Sequence, residues 1–193
     1  MSRPIPLDII PSHLYLSAED QSTLFGIGSP LTVRTSHTQP GQVVYEECVE
    51  VMGNNKRSLK FRIMGPNWEQ SHVELTPIEA GYLGLKPPMA KSGDLRMASP
   101  CLLRGPAGEV RLDCGVIIPL PHLFCSPDDA NDLRVKNGDH VDLDVIDDSG
   151  ETIKDVLVRV HPSFTLRAEI RADLASNLWL ARSAHARVRF FPA

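Results

Sequence analysis

The sequence predicts a mainly β protein with short α-helices, arranged as two pseudo-symmetric β-barrels capped by those helices. Three observations carry this reading. A strand with a polar residue near its end, a helix start and a short helix occur in succession four times, around His13, Glu74, His122 and Glu169. The stretch Pro11-Ser12-His13-Leu14-Tyr15-Leu16-Ser17 returns in altered form as Pro121-His122-Leu123-Phe124-Cys125-Ser126. The 16 prolines and 13 glycines are scattered rather than clustered, which suits many short strands joined by tight turns. Self-similar units point to duplicated subdomains, and short strands with frequent turns favour closure over one open sheet. The four polar residues are expected to meet near the barrel junction, a common place for ligand sites.

In chain order, residues 5–10 (IPLDII) form a short strand that runs into His13. Ser17 is a helix N-cap with Glu19 and Asp20 in the first turn, where the helix dipole favours acid, and this helix ends near Gly26. Residues 27–47 are irregular or a small hairpin turning at Gln39-Pro40-Gly41-Gln42. Strands follow near 43–53 and 57–64, joined by Gly53-Asn54-Asn55, and Gly65-Pro66 breaks the chain. Alternation over 70–75 puts His72 and Glu74 on one strand face, with His72 expected to be exposed. Thr76-Pro77-Ile78-Glu79 reads as N-cap, N1 proline and capping box for a helix reaching Gly84. After the polar turn Ser92-Gly93-Asp94, three strands are expected near 99–104, 108–112 and 114–119.

The second copy opens with Ser126-Pro127-Asp128-Asp129 and a helix ending near Asn137-Gly138-Asp139. Strands near 140–147 and 153–161 are joined by Asp147-Asp148-Ser149-Gly150. A strand from Phe164 to Ile170 carries Glu169 at its end. A last helix over 172–180 has Asp173 in its first turn, and a strand over 186–191 closes the chain.

Composition limits the function classes. The chain has 193 residues, 42% hydrophobic and 23% charged, with a net charge of -4. That length buries a real core, and the charge gives no footprint for nucleic acid or an anionic membrane surface. No apolar run approaches the ~20 residues of a membrane helix. The first residues lack the apolar core of a signal peptide, so a cytoplasmic protein is expected. Cys48, Cys101, Cys114 and Cys125 are widely spaced, as reduced thiols are, with Cys125 expected as a small buried residue.

The histidine segments occur with further markers. These are Arg3-Pro4-Ile5-Pro6, Ser17-x-Glu19-Asp20, Leu31-Thr32 with Gln39-Pro40-Gly41-Gln42, Arg62-Ile63-Met64-Gly65-Pro66 and Val73-Glu74-Leu75. Gly84-Leu85-Lys86-Pro87-Pro88, Ser92-Gly93-Asp94-Leu95, Gly115-Val116-Ile117-Ile118, Ser126-Pro127-Asp128-Asp129-Ala130 and Val135-Lys136-Asn137-Gly138-Asp139 complete the set. In this order and spacing the chain resembles the PduL-type phosphotransacylases (phosphate propanoyltransferases) over nearly its whole length. The resemblance implies one barrel from residues 2–11 and 120–189 and a second from 12–25 and 47–119. A small two-stranded insertion over 26–46 interrupts the second. It also implies exchange of coenzyme A for phosphate on a short acyl group, two metal ions (zinc) at the barrel junction, and frequent packaging in bacterial microcompartments.

The same resemblance shows departures. Two His-x-His strands, a Glu and a later His hold the family's metals, since i and i+2 imidazoles face the same way. Here these positions read His13-Leu14-Tyr15, His122-Leu123-Phe124, Glu74 and Glu169. Trp68 stands where an arginine would hold phosphate, Pro121 where an arginine would precede the second pair, and Thr35 where a basic residue would meet coenzyme A. Arg62 and Met64 remain as the implied coenzyme A contacts. The remaining metal set is His13, Glu74, His122 and Glu169, with His72 as a substitute ligand, and at most one zinc ion is expected. Against this stands a plainer outcome: hydrogen-bonded remnant histidines, Glu169 as a solvated acid at a helix start, and Tyr15, Phe124 and Trp68 filling the vacated volume.

Two functions follow. One is a phosphate acyltransferase homologue, acting on acyl-CoA and phosphate, with weakened or lost activity. The other is a pseudoenzyme serving as a coenzyme A-binding or protein-interaction module, as a homo-oligomer or beside an active paralogue. The encapsulation helix usual in the family is not seen ahead of the first strand.

Overall fold

The chain divides into two units, one of Met1–Pro11, Thr38–Pro40 and Leu120–Ala193, the other of Ser12–His37 and Gly41–Pro119. They are called unit 1 and unit 2 below. The description rests on a computed structural model and covers residues 3–146, 150–180 and 184–189.

In chain order the elements are β1 (Ile5–Ile10), β2 (His13–Tyr15), α1 (Ala18–Phe25), β3 (Val33–Ser36), β4 (Val43–Met52), β5 (Ser58–Gly65) and β6 (His72–Glu74). Then come α2 (Pro77–Tyr82), β7 (Met89–Ala90), β8 (Ser99–Arg104), β9 (Glu109–Pro119), β10 (His122–Cys125) and α3 (Pro127–Asp132). The chain ends with β11 (His140–Val145), β12 (Thr152–Val160), β13 (Arg167–Arg171), α4 (Ala172–Asn177) and β14 (His185–Val188).

Each unit closes a six-stranded barrel. Unit 1 runs β1-β13-β10-β12-β11-β14 and back to β1. Unit 2 runs β9-β6-β2-β5-β4-β8 and back to β9. Strand directions match step for step. β2 is parallel to β5 and antiparallel to β6, while β10 is parallel to β12 and antiparallel to β13. β6 is then parallel to β9 as β13 is to β1. The duplication expected from the histidine segments is therefore one of whole barrels, and each barrel has its own apolar core. Leu123, Val156, Val158, Ala168 and Ile170 lie in one; Leu14, Val51, Ile63, Val73 and Leu103 lie in the other.

The helix starts follow the expected chemistry. The Ser17 side chain accepts from the Asp20 backbone N–H, and Thr76 with Glu79 and Ser126 with Asp129 form reciprocal capping boxes. α4 starts without a side-chain cap, at Arg171. The helix ends differ from expectation. α2, α3 and α4 each close with a 6→1 backbone bond: Leu85 to Ala80, Val135 to Ala130 and Leu180 to Ala175. The residue before each of those donors is left-handed, namely Gly84, Arg134 and Trp179. This is the Schellman ending. Only the first copy has a glycine to announce it, so α3 and α4 stop earlier than the sequence suggests.

Two further differences concern strands. The expected strands at 108–112 and 114–119 are one continuous β9. Its pairing with β8 shifts register between Ser99 and Cys101, so the chain bulges there instead of turning. Gly115 allows this, because a Cβ there would lie 2.5 Å from the Leu112 Cβ. Glu169 sits within β13, not at a strand end or helix start; Asp173 is the acid in the first turn of α4. The expected turn over 147–149 and the end of the last strand at Phe190 and Phe191 lie outside the described residues.

β3 and β4 form the hairpin expected within 26–46. Gln39, between these strands in sequence, belongs to unit 1 and is only 2% exposed. The Gln39 amide donates to the Thr165 carbonyl and accepts from the Thr165 N–H, both at 3.1 Å. Removing a buried partner leaves the other group unsatisfied, at about 1–3 kcal/mol. Gln39→Ala is accordingly expected to accelerate hydrogen exchange at the Thr165 amide; unchanged protection would show that the Gln39 side chain does not protect it.

All four cysteines are free. Burial pushes the Cys101 and Cys125 thiols up to about 12, aided at Cys125 by the charge of Asp129, so neither is poised as a nucleophile. Among the described residues, no helix is long and apolar enough to cross a membrane.

Candidate active site

The short strands β2 and β10 organise the candidate site residues. Cα partners on adjacent strands share a sheet face. In unit 2, His13 is partnered by Arg62 on β5 and Glu74 on β6, and Tyr15 by Met64 and His72. Two rows result, Arg62–His13–Glu74 and Met64–Tyr15–His72. They lie on the face opposite Leu14, Ile63 and Val73, which enter the core. Unit 1 repeats the layout with rows Leu157–His122–Glu169 and Arg159–Phe124–Arg167, opposite Leu123, Val158 and Ala168. The structure thus brings His13 to Glu74 and His122 to Glu169 as cross-strand pairs.

In unit 2, Glu74 is the centre of a buried polar cluster. His13 Nε2 is 3.5 Å from its Oε2, and His72 Nε2 is 3.5 Å from its Oε1. The Ser92 hydroxyl also donates to Oε1. Burial alone would raise the carboxyl. The hydrogen bond from His72, the charges of His13 and His72 and the hydrogen bond from Ser92 outweigh it and hold the group at about 2. His72, expected at an exposed strand position, is fully buried. Pairing of β6 with β2 brings Tyr15 against it, and Trp68 packs on it as well.

Aromatic rings surround this cluster. The Tyr15 ring stacks on His72 at 5.1 Å and meets Trp68 at 4.8 Å, and Trp68 meets His72 edge-on at 4.8 Å. The turn carrying Ser92 closes against the indole. Gly93 has a positive φ of 81°, and a Cβ there would lie 2.4 Å from Trp68 Cζ3. Gly93→Ala combines a left-handed alanine with that clash and is expected to lower the unfolding free energy by at least about 1 kcal/mol. An unchanged denaturation midpoint would show that Trp68 yields freely.

In unit 1, the Phe124 ring lies 5.6 Å from His122 and 4.9 Å from Phe164. Arg167 binds Asp8 through two bonds, Nε to Oδ2 at 2.5 Å and a terminal nitrogen to Oδ1 at 3.0 Å. Of the implied coenzyme A contacts, Met64 is buried. Arg62 is partly exposed and donates to the Glu46 carbonyl at 2.6 Å and carboxylate at 3.1 Å. Ser92, Arg159 and the Asp8–Arg167 pair were not legible as site neighbours. Their strands and turns are brought together only by barrel closure.

A two-zinc centre needs more donors than these rows offer. Tyr15 and Phe124 occupy the positions two residues past each histidine, and Glu74 already has side-chain partners on both oxygens. Among the described residues, no group of three or more His, Cys, Asp and Glu is arranged to hold a metal ion. The residues present do not fit such a centre.

Comparison with known proteins agrees with the barrel architecture. The family model for phosphate propanoyltransferase matches residues 6–181. A phosphate propanoyltransferase of Rhodobacter capsulatus is 34% identical over 185 residues, covering 96% of this chain and 86% of that protein. One from Salmonella typhimurium is 36% identical, covering 90% and 83%, and one from Citrobacter rodentium is 37% identical, also covering 90% and 83%. With the match spanning both barrels, this chain belongs to the phosphate propanoyltransferase family.

Proposed function

We propose that this chain is a phosphate acyltransferase homologue whose exchange of coenzyme A for phosphate on a short acyl group is weakened or lost. The observation that carries this reading is the packing of Tyr15 against both Trp68 and His72, beside a Glu74 carboxylate with three side chains around it. A bulky ring stands where the resemblance implies a ligand, and the buried carboxylate would have to exchange its His13, His72 and Ser92 neighbours for a metal ion. In this reading at most one zinc ion is bound. Arg62 meets coenzyme A by exchanging the Glu46 carboxylate for a phosphate, with Met64 beside it, in a cytoplasmic setting.

A second reading, an inactive coenzyme A-binding module, draws on Arg62. That guanidinium is partly exposed and tied to a surface carboxylate, so binding coenzyme A through it needs no metal ion. The test is turnover of propanoyl-CoA with phosphate, followed by chromatography of free coenzyme A because Cys48 and Cys114 are exposed thiols. Release at or near background is expected. Robust release that is abolished by His13→Ala would overturn the proposal.

A further inference from the structure

We propose that Ser163 and His161, in the turn between β12 and β13, form a nucleophile–base pair that hydrolyses activated aryl esters of short acids. This activity goes beyond the coenzyme A exchange discussed above and needs neither coenzyme A, phosphate nor a metal ion.

The turn itself sets the pair. The His161 N–H donates to the Cys125 carbonyl at 3.1 Å, and the Phe164 N–H donates to the His161 carbonyl at 3.0 Å. The Ser163 N–H donates to His161 Nδ1 at 3.2 Å, and Ser163 Oγ lies 2.7 Å from the same nitrogen. A ring nitrogen that accepts an N–H carries no proton of its own. The neutral imidazole therefore keeps its hydrogen on Nε2, and Nδ1 accepts the Ser163 hydroxyl as a general base does. The Phe164 ring lies 5.3 Å from the imidazole and meets Phe124 at 4.9 Å. Aromatic packing thus orients the base.

Other hydroxyls of the chain are placed differently. Ser12, Ser58, Ser71, Ser92 and Ser126 are part-buried and donate to carboxylates, which are weaker bases than imidazole. His161, Pro162 and Ser163 are all exposed, so an ester reaches Oγ from solvent. An open turn does little to activate its substrate, which points to esters whose leaving group is already stable as an anion. Phe164 offers an aryl leaving group a ring to pack on.

In the first step Ser163 Oγ bonds to the ester carbonyl carbon and its proton passes to His161 Nδ1. The bond from that carbon to the aryl oxygen breaks, and the phenolate takes the proton from Nδ1. Water then gives a proton to Nδ1 and attacks the acyl-serine. The bond to Oγ breaks, the proton returns to Oγ, and the carboxylic acid leaves.

The experiment is release of p-nitrophenol from p-nitrophenyl acetate by the full chain, in EDTA and without coenzyme A or phosphate. Ser163→Ala and His161→Gln should each lower the rate at least about tenfold. His140→Gln, at an exposed imidazole bound to Asp155, should leave it unchanged. Peptide mass mapping after an acid quench should place the acetyl group on Ser163 in the wild type and remove it in His161→Gln. An undiminished rate in Ser163→Ala, an equal loss in His140→Gln, an acetyl group on His161 but not Ser163, or no turnover in EDTA overturns the pair. Should Ser163→Ala not fold, phenylmethanesulfonyl fluoride on the wild type decides the matter: sulfonylation at Ser163 supports the pair, and none there overturns it. Robust exchange of coenzyme A for phosphate would defeat the proposed loss of activity while leaving this result untouched.

Discussion

Glu74→Ala is expected to destabilise unit 2 by about 3–5 kcal/mol, the scale for removing one member of a buried charged cluster. The carboxylate is only 5% exposed and connects His13, His72 and Ser92. Its removal leaves the buried His13 and His72 and the half-buried Ser92 without the carboxylate they share. Glu74→Gln keeps the shape and one acceptor oxygen, so a smaller loss is expected. Chemical denaturation of the three proteins side by side checks the order. If Glu74→Ala were as stable as the parent, the cluster would be a solvated remnant and not a packed element of the barrel.

The second large effect tests the duplication. Leu14 and Leu123 occupy the same place in the two barrels, between the site residues of β2 and β10 but on the core face. Both are 0% exposed. Leu→Ala at a buried position costs about 2–5 kcal/mol, from lost burial plus the residual cavity. Leu14→Ala is expected to accelerate hydrogen exchange in the strands of unit 2, and Leu123→Ala to do so in those of unit 1. A similar global loss is expected for each. Exchange that rises uniformly through both units in either variant would show that the two cores do not open separately.

Much of this architecture can be read from the chain because its signals are local. Ser17, Thr76 and Ser126 announce helix starts through side-chain oxygens that reach only three residues ahead. The histidine segments advertise the duplication because both copies place the strand, the polar residue and the cap in the same order. The missed features are those set by distant chain. Arg134 and Trp179 are left-handed without being glycine, so nothing in their residue type marks the end of α3 or α4. β9 shows as two strands in the sequence because its bulge at 113–115 looks like a break. The burial of His72 depends on Tyr15 and Trp68, which reach it only when β6 pairs with β2. Strands as short as β2 and β10, buried along their whole length, offer no alternation from which to read which face meets the core.

The candidate site follows the same division. The residue types at His13, Tyr15, His122 and Phe124 can be read directly from the chain as one histidine and one aromatic ring in each pair. That Ser92 would take one oxygen of Glu74, or that Arg159 would lie beside Phe124 without a carboxylate, comes only from the closed barrels.

The central claim is that these rows no longer build a two-metal centre, and native mass spectrometry of the purified chain after exposure to excess zinc and desalting tests it most directly. The account predicts no more than one zinc ion retained per chain. Two tightly held zinc ions, with His13→Ala and His122→Ala each displacing metal, would contradict it.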